Sequence, residues 1–145
     1  MTDCIIWVVD DDQDDLYLVE QAFKECFFQV RTFSGDEITK VIDLLKTLPE
    51  EKLPQLVLLD INMPPVSGKD ILLHIRSYGR LKHLPIAMFT TSNLKSERYQ
   101  CLELGANCFI TKPNEFSAMV KICSALSTVF CSAEFQTRNN YLRTP

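Results

Sequence analysis

The chain has 145 residues, 46% of them hydrophobic and 23% charged, with a net charge of −4. A chain of this length can bury ~70% of the surface its unfolded form exposes, which is enough for one proper core. The basic residues are scattered, which argues against nucleic acid as the main partner. No run reaches the length of about 18 apolar residues that would span a membrane.

The opening residues MTDCIIWVVD lack a basic n-region and run straight into an apolar segment, so no signal peptide is expected and the chain reads as cytoplasmic. Cysteines 4, 26, 101, 108, 123 and 131 form no CxxC pair and no metal-like spacing, and are expected as reduced thiols, several of them buried. His74 and His83 have no partners that resemble a triad and read as surface residues.

Five apolar runs alternate with helical patterns. CIIWVV (4–9) ends abruptly in the acidic stretch DDDQDD. Leu16, Val19, Phe23 and Cys26 then recur at three- and four-residue steps, predicting a helix over 14–27. Asp14 and Asp15 fall in its first turn, favoured by the helix dipole and given no catalytic role; Asp12 lies in the loop and deepens the negative potential. FQVRTF (28–33) alternates, as an edge strand does, and Ile38, Val41, Ile42 and Leu45 mark a helix over 36–47. LVLL (56–59) precedes Asp60, and Ile71, Leu72 and Ile75 mark a helix over 68–77. PIAMF (85–89) leads to Thr90, and a helix over 94–104 stops at Gly105, a C′ residue. CFI (108–110) leads to Thr111 and Lys112, and a cis bond before Pro113 would set that turn tightly. Phe116, Met119, Val120, Cys123 and Leu126 face inward from a last helix over 115–130. Residues 131–145 show no period and read as a flexible C-terminal tail to a domain spanning 1–130.

Alternating β and α segments predict a doubly wound parallel sheet with right-handed crossovers. Ligands in such sheets bind beyond the carboxyl ends of the strands. Asp10, Asp11, Asp60, Thr90 and Lys112 all follow strand ends, so all converge on one edge. Two like charges ~4 Å apart repel by about 1 kcal/mol in water and about 4 at an effective dielectric near 20, so something must offset the aspartates. Carboxylates with a neighbouring carbonyl and water suit Mg²⁺. A carboxylate placed like Asp60 can attack phosphorus to give an acyl phosphate, while Lys112 and Thr90 are groups that hold phosphoryl charge. Singly, each feature has a plainer explanation: helix capping, a strand-end threonine, a Lys-Pro turn, a loop aspartate. Their joint placement at successive strand ends is what carries weight.

The pieces VVDDD, LVLLDINMPPVSG, PIAMFTTS and GANCFITKP, in this order, resemble the receiver domain of two-component response regulators over about residues 4–130. The resemblance implies the α/β flavodoxin-like fold, with a five-stranded parallel sheet in the order 2-1-3-4-5 and five helices. It implies Asp60 as phosphoacceptor for a sensor histidine kinase or a histidine phosphotransfer protein. Mg²⁺ would be held by Asp11 and Asp60 directly, by Asp10 largely through water, and by the Asn62 carbonyl. Thr90 and Lys112 would contact the phosphoryl oxygens, and Phe109 stands where the family carries an aromatic switch that turns inward with the threonine. Many relatives have Tyr there, and Phe109 lacks the hydroxyl. Thr91 replaces a small residue found in many receivers and would narrow access to the acyl phosphate.

Beyond residue 130 too few residues remain for an output module, so the chain resembles stand-alone receivers of phytochrome-associated and chemotaxis type, read by a downstream protein partner. Phosphotransfer and autodephosphorylation would be self-catalysed, without making the chain a dedicated enzyme. Receivers often dimerise on their last helices, and a homodimer is compatible with the resemblance. Three alternatives stay open: a phosphorylation-independent pseudo-receiver, a phosphorelay intermediate, and an aspartyl-phosphate phosphatase. The last would place a second Asp where this chain has Asn62.

Overall fold

Alternation of side chains along short, wholly apolar strands gives each strand two buried faces, and the fold is built on that geometry. The structure, a computed structural model, describes residues 4–132 and Phe135. Its elements are β1 (Ile6–Val9), α1 (Gln13–Glu25), β2 (Val30–Phe33), α2 (Val41–Thr47), β3 (Leu56–Leu59), β4 (Asn62–Met63), β5 (Val66–Ser67), α3 (Gly68–Ser77), β6 (Ile86–Thr90), α4 (Lys95–Glu103), β7 (Cys108–Thr111) and α5 (Phe116–Phe130). The main sheet has the order β2-β1-β3-β6-β7 and every pairing in it is parallel. With the small antiparallel pair β4–β5 set aside, this is the expected order 2-1-3-4-5 with five helices.

On one face, Trp7, Val9, Val57, Leu59, Ile86 and Met88 pack with Val41 and Leu45 of α2, Ile71, Leu72 and Ile75 of α3, and Cys101 of α4. On the other, Ile6, Val8, Leu56, Leu58, Ala87 and Phe89 pack with Leu16, Val19 and Phe23 of α1 and Met119, Cys123 and Leu126 of α5. Full burial of one such side chain contributes about 1.5–3 kcal/mol. Strand β2 lies at the sheet edge as its alternation predicts, with the Arg31 guanidinium over the rings of Trp7 and Phe33 at 5.5 and 4.8 Å. The expected helix over 36–47 divides into a 3₁₀ segment, Gly35–Lys40, and α2. Ile38 and Thr39 are β-branched, and the Thr39 hydroxyl donates to the Asp36 carbonyl at 2.9 Å, both of which work against a regular first turn. Arg80 donates to the carbonyls of Leu45, Lys46 and Leu48, satisfying the open end of α2.

Two sequence expectations are corrected. The cysteines are not all reduced: Cys4 and Cys131 form a disulfide with Cα atoms 5.6 Å apart, while Cys26, Cys101, Cys108 and Cys123 are free. A separation of 127 residues hides this pair from any spacing argument; it exists because β1 begins at the edge where α5 ends. The cis peptide bond is at Pro64–Pro65 and not at Lys112–Pro113. Beyond Ser132 and Phe135, the expected tail lies outside the described residues.

Helices α1 and α4 end in the same hydrogen-bond pattern with different residues. After α4, Gly105 adopts φ +106°, and the Gly105 and Ala106 amides donate to the carbonyls of Leu102 and Cys101. After α1, Phe27 adopts φ 67°, and the Phe27 and Phe28 amides donate to Lys24 and Phe23. A side chain in this left-handed conformation costs roughly 1 kcal/mol that glycine avoids. Phe27 is 94% exposed, so its ring contributes little burial in return.

Replacing Phe27 with Gly is therefore expected to raise stability by about 1 kcal/mol, seen as a higher denaturant midpoint with an unchanged m-value. Reducing the disulfide is expected to lower stability by an amount bounded at about 5 kcal/mol for a loop this long. The Cys131→Ser protein should show the same melting temperature with and without dithiothreitol; a wild type equally indifferent to reductant would mean that the two thiols are not joined.

Candidate functional site

The site is assembled at the carboxyl edge of the sheet by four segments. Strand β1 ends at Val9 and delivers Asp10, whose amide donates to the Phe33 carbonyl at 3.1 Å. Strand β3 delivers Asp60, whose amide donates to the Val9 carbonyl at 3.0 Å. These bonds continue the parallel ladder for one residue and bring the two carboxylates side by side. Strand β6 ends in Thr90, and the Lys112 amide donates to the Thr90 carbonyl at 2.6 Å, fixing the turn after β7 against it.

Gly68 holds the loop after Asp60 close to α3. Its amide donates to the Ile61 carbonyl at 2.8 Å, and a Cβ here would lie 1.8 Å from the Asp60 carbonyl oxygen. No side chain fits that gap without moving the backbone that carries Asp60.

Asp10, Asp60, Thr90 and Lys112 are all buried. The Lys112 ammonium lies 2.5 Å from Asp10 Oδ2, 2.7 Å from Asp15 Oδ2 and 3.3 Å from Asp60 Oδ2. Burial by itself pulls the Lys112 pKa down, but its hydrogen bonds to Asp10 and Asp15 and the charges of Asp10 and Asp60 outweigh this and raise it above the ordinary lysine value. Burial pushes Asp10 the other way, up to about 6, against the hydrogen bonds from Lys112 and the Asp12 amide that favour its ionised form.

Asp10, Asp11 and Asp60 each offer a carboxylate oxygen, and the three atoms lie within 4.8 Å of one another. Three hard oxygen donors of which only Asp11 is exposed fit Mg²⁺ well. Asn62 opens β4, two residues past Asp60, and is exposed. The Thr90 hydroxyl accepts from the Ser92 amide at 3.3 Å, leaving its own proton to donate. Phe109 pairs in register with Met88 and is buried among the side chains that face α2, α3 and α4. Thr91 is exposed at the rim.

The sequence reading missed Asp15. It assigned Asp15 to the helix start alone, yet the side chain reaches the Lys112 ammonium. Asp12 is the N-cap of α1, its Oδ1 accepting from the amides of Asp14 and Asp15 at 2.9 and 3.1 Å. Side chains in a helix tilt towards its N-terminus, so an acid in the first turn after this cap is aimed at the strand ends. That tilt is the signal that could have found it.

A cation held by Asp10, Asp11 and Asp60 would compete with a proton for Asp10. Because its folded pKa exceeds the unfolded value of 3.8, this carboxyl stabilises the fold fully below about pH 4 and loses that contribution as pH rises through about 6. Mg²⁺ is expected to stabilise the protein most above pH 6, and its apparent affinity should weaken by about tenfold per pH unit below that. Calorimetric Mg²⁺ titrations between pH 5 and 8 check this; a flat affinity would show that Asp10 is not protonated near 6.

Residues 6–124 match the response regulator receiver domain family. The transcriptional regulatory protein GltR of Pseudomonas aeruginosa is 36% identical over 108 residues, which are 74% of this chain and 42% of GltR, so the chain spans less than half of that relative. Response regulator Rcp1 of Synechocystis is 25% identical over 127 residues, 86% of each chain. Among solved structures, the phosphorylated cyanobacterial phytochrome response regulator RcpA superposes with a TM-score of 0.76 at 25% identity, over 89% of this chain and 94% of that one. The Mn²⁺-bound form of Rcp1 gives 0.73 at 24% identity, over 90% and 96%, and bears on the fold alone. With its strand order and its acidic edge in place, and with the match extending over most of its length, the chain belongs to the response regulator receiver domain family.

Proposed function

We propose that this chain is a phosphorylation-switched receiver in which Asp60 takes a phosphoryl group from the phosphohistidine of a sensor histidine kinase or a histidine phosphotransfer protein. The observation that carries the reading is the grouping of Asp60 with Asp10, Asp11 and the Lys112 ammonium at the end of β3. Mg²⁺ bound by Asp10, Asp11, Asp60 and the Asn62 carbonyl would supply charge neutralisation for the incoming phosphoryl oxygens.

In the transfer, an Asp60 carboxylate oxygen forms a bond to phosphorus as the phosphorus–nitrogen bond of the donor breaks, and the electron pair stays on the imidazole nitrogen. Lys112 stabilises charge on the phosphoryl oxygens from within 3.3 Å of Asp60, and Thr90 donates its hydroxyl to them. Thr90 sits in register with Thr111, and Phe109 with Met88 on the same strand pair. A shift of Thr90 towards the phosphoryl group opens space behind it, and Phe109, already buried beside Met88, repacks in response, which changes the surface of α4, β7 and α5 that a downstream protein reads. No helix among the described residues is long and apolar enough to cross a membrane. A relative captured in phosphorylated form, RcpA, supports the reading.

Incubation with acetyl phosphate is expected to add one phosphoryl group to the wild type, seen by intact mass, only when Mg²⁺ is present. Asp60→Asn should take up none. Folded wild type that stays unmodified beside a receiver that is modified would instead favour an interaction module that works without phosphorylation.

A further inference from the structure

We propose that Asp15 is a positioning residue that holds the Lys112 ammonium back from Asp60 and so sets how fast Asp60 takes up a phosphoryl group. An ammonium has three protons to donate, and here three carboxylates share them. The contacts to Asp10 and Asp15 are short, at 2.5 and 2.7 Å, while the contact to Asp60 is the long one at 3.3 Å. Lys112 is thus drawn towards the first turn of α1 and away from the atom that reacts.

Asp15 stands apart from the three carboxylates grouped for a cation. A metal that offsets Asp10, Asp11 and Asp60 leaves the charge of Asp15 directed at Lys112. The Asp15 side chain is 29% exposed against 4% for Asp10, so water can solvate the Asp15 carboxylate once the ammonium leaves it. Such a contact is strong enough to hold the lysine and weak enough to release it. The Asp12 cap fixes the Asp15 amide at 3.1 Å, so the carboxylate is presented from a rigid turn and not from a loose loop. Neighbouring Asp14 carries the same charge in the same turn, held by the same cap, and is not among the three carboxylates on Lys112, which makes it a natural control.

The inference rests on the phosphoacceptor reading of Asp60, and two readouts keep them separable. The first is hydrogen exchange of the Lys112 ammonium in metal-free protein, followed by ¹⁵N NMR. Exchange is expected to quicken in Asp15→Asn, to stay at the wild-type rate in Asp14→Asn, and to return towards wild type in Asp15→Glu. The second is the rate of phosphoryl uptake from acetyl phosphate with Mg²⁺, expected to rise about fivefold in Asp15→Asn alone. Circular dichroism establishes that each variant is folded. Equal acceleration in Asp14→Asn would show a general field effect and overturn the assignment, as would an unchanged rate in Asp15→Asn beside a phosphorylated wild type. A wild type that takes up no phosphoryl group defeats the phosphoacceptor reading itself, whatever the exchange data show about the contact.

Discussion

The Lys112 ammonium touches carboxylates from β1, α1 and β3, while its own backbone amide is tied to β6 through Thr90. One residue therefore joins four segments that approach the sheet edge from different directions, three through its side chain and one through its amide. Removing it would leave Asp10 buried without a counter-charge, a much costlier state than the loss of a surface ion pair. Even with it, Asp10, Asp11, Asp15 and Asp60 outnumber the single positive charge among them. That excess suits the edge to a cation, and it also places the lysine under competing claims.

Much of this edge was legible from the chain. Each apolar run stops at a residue able to do chemistry, and parallel strands place all such stops on one side, so Asp10, Asp60, Thr90 and Lys112 could be gathered without any coordinates. The strand order came with the family resemblance and not from periodicity. Asp15 escaped because a first-turn acid is sufficiently explained by capping and the dipole, and only the tilt of helical side chains says where it points. The Cys4–Cys131 bond escaped for a different reason: the residues at the two ends of the fold meet only after every intervening element is in place. The break in the helix over 36–47 turns on local competition from a threonine hydroxyl, which an apolar stripe does not register.

The backbone frame around the site is held more tightly than its side chains. Gly68 leaves no room beside the Asp60 carbonyl, and the Ile61 amide donates to Asp60 Oδ1 at 2.7 Å. Asp11, Asn62 and Thr91 at the rim are by contrast exposed. A rigid floor with an open rim positions one carboxylate accurately and leaves the approach to it open.

The Cys4–Cys131 bond lies at the opposite pole. Cys4 precedes β1 and Asp10 follows it, so about 20 Å of extended chain separates the disulfide from the acidic edge. Residues next to Cys4 and Cys131 thus share one anchoring point, away from the acidic edge. A copy immobilised or fused through either neighbourhood would present its acidic mouth outward, and a load attached at one would pull on both the first strand and the last helix together.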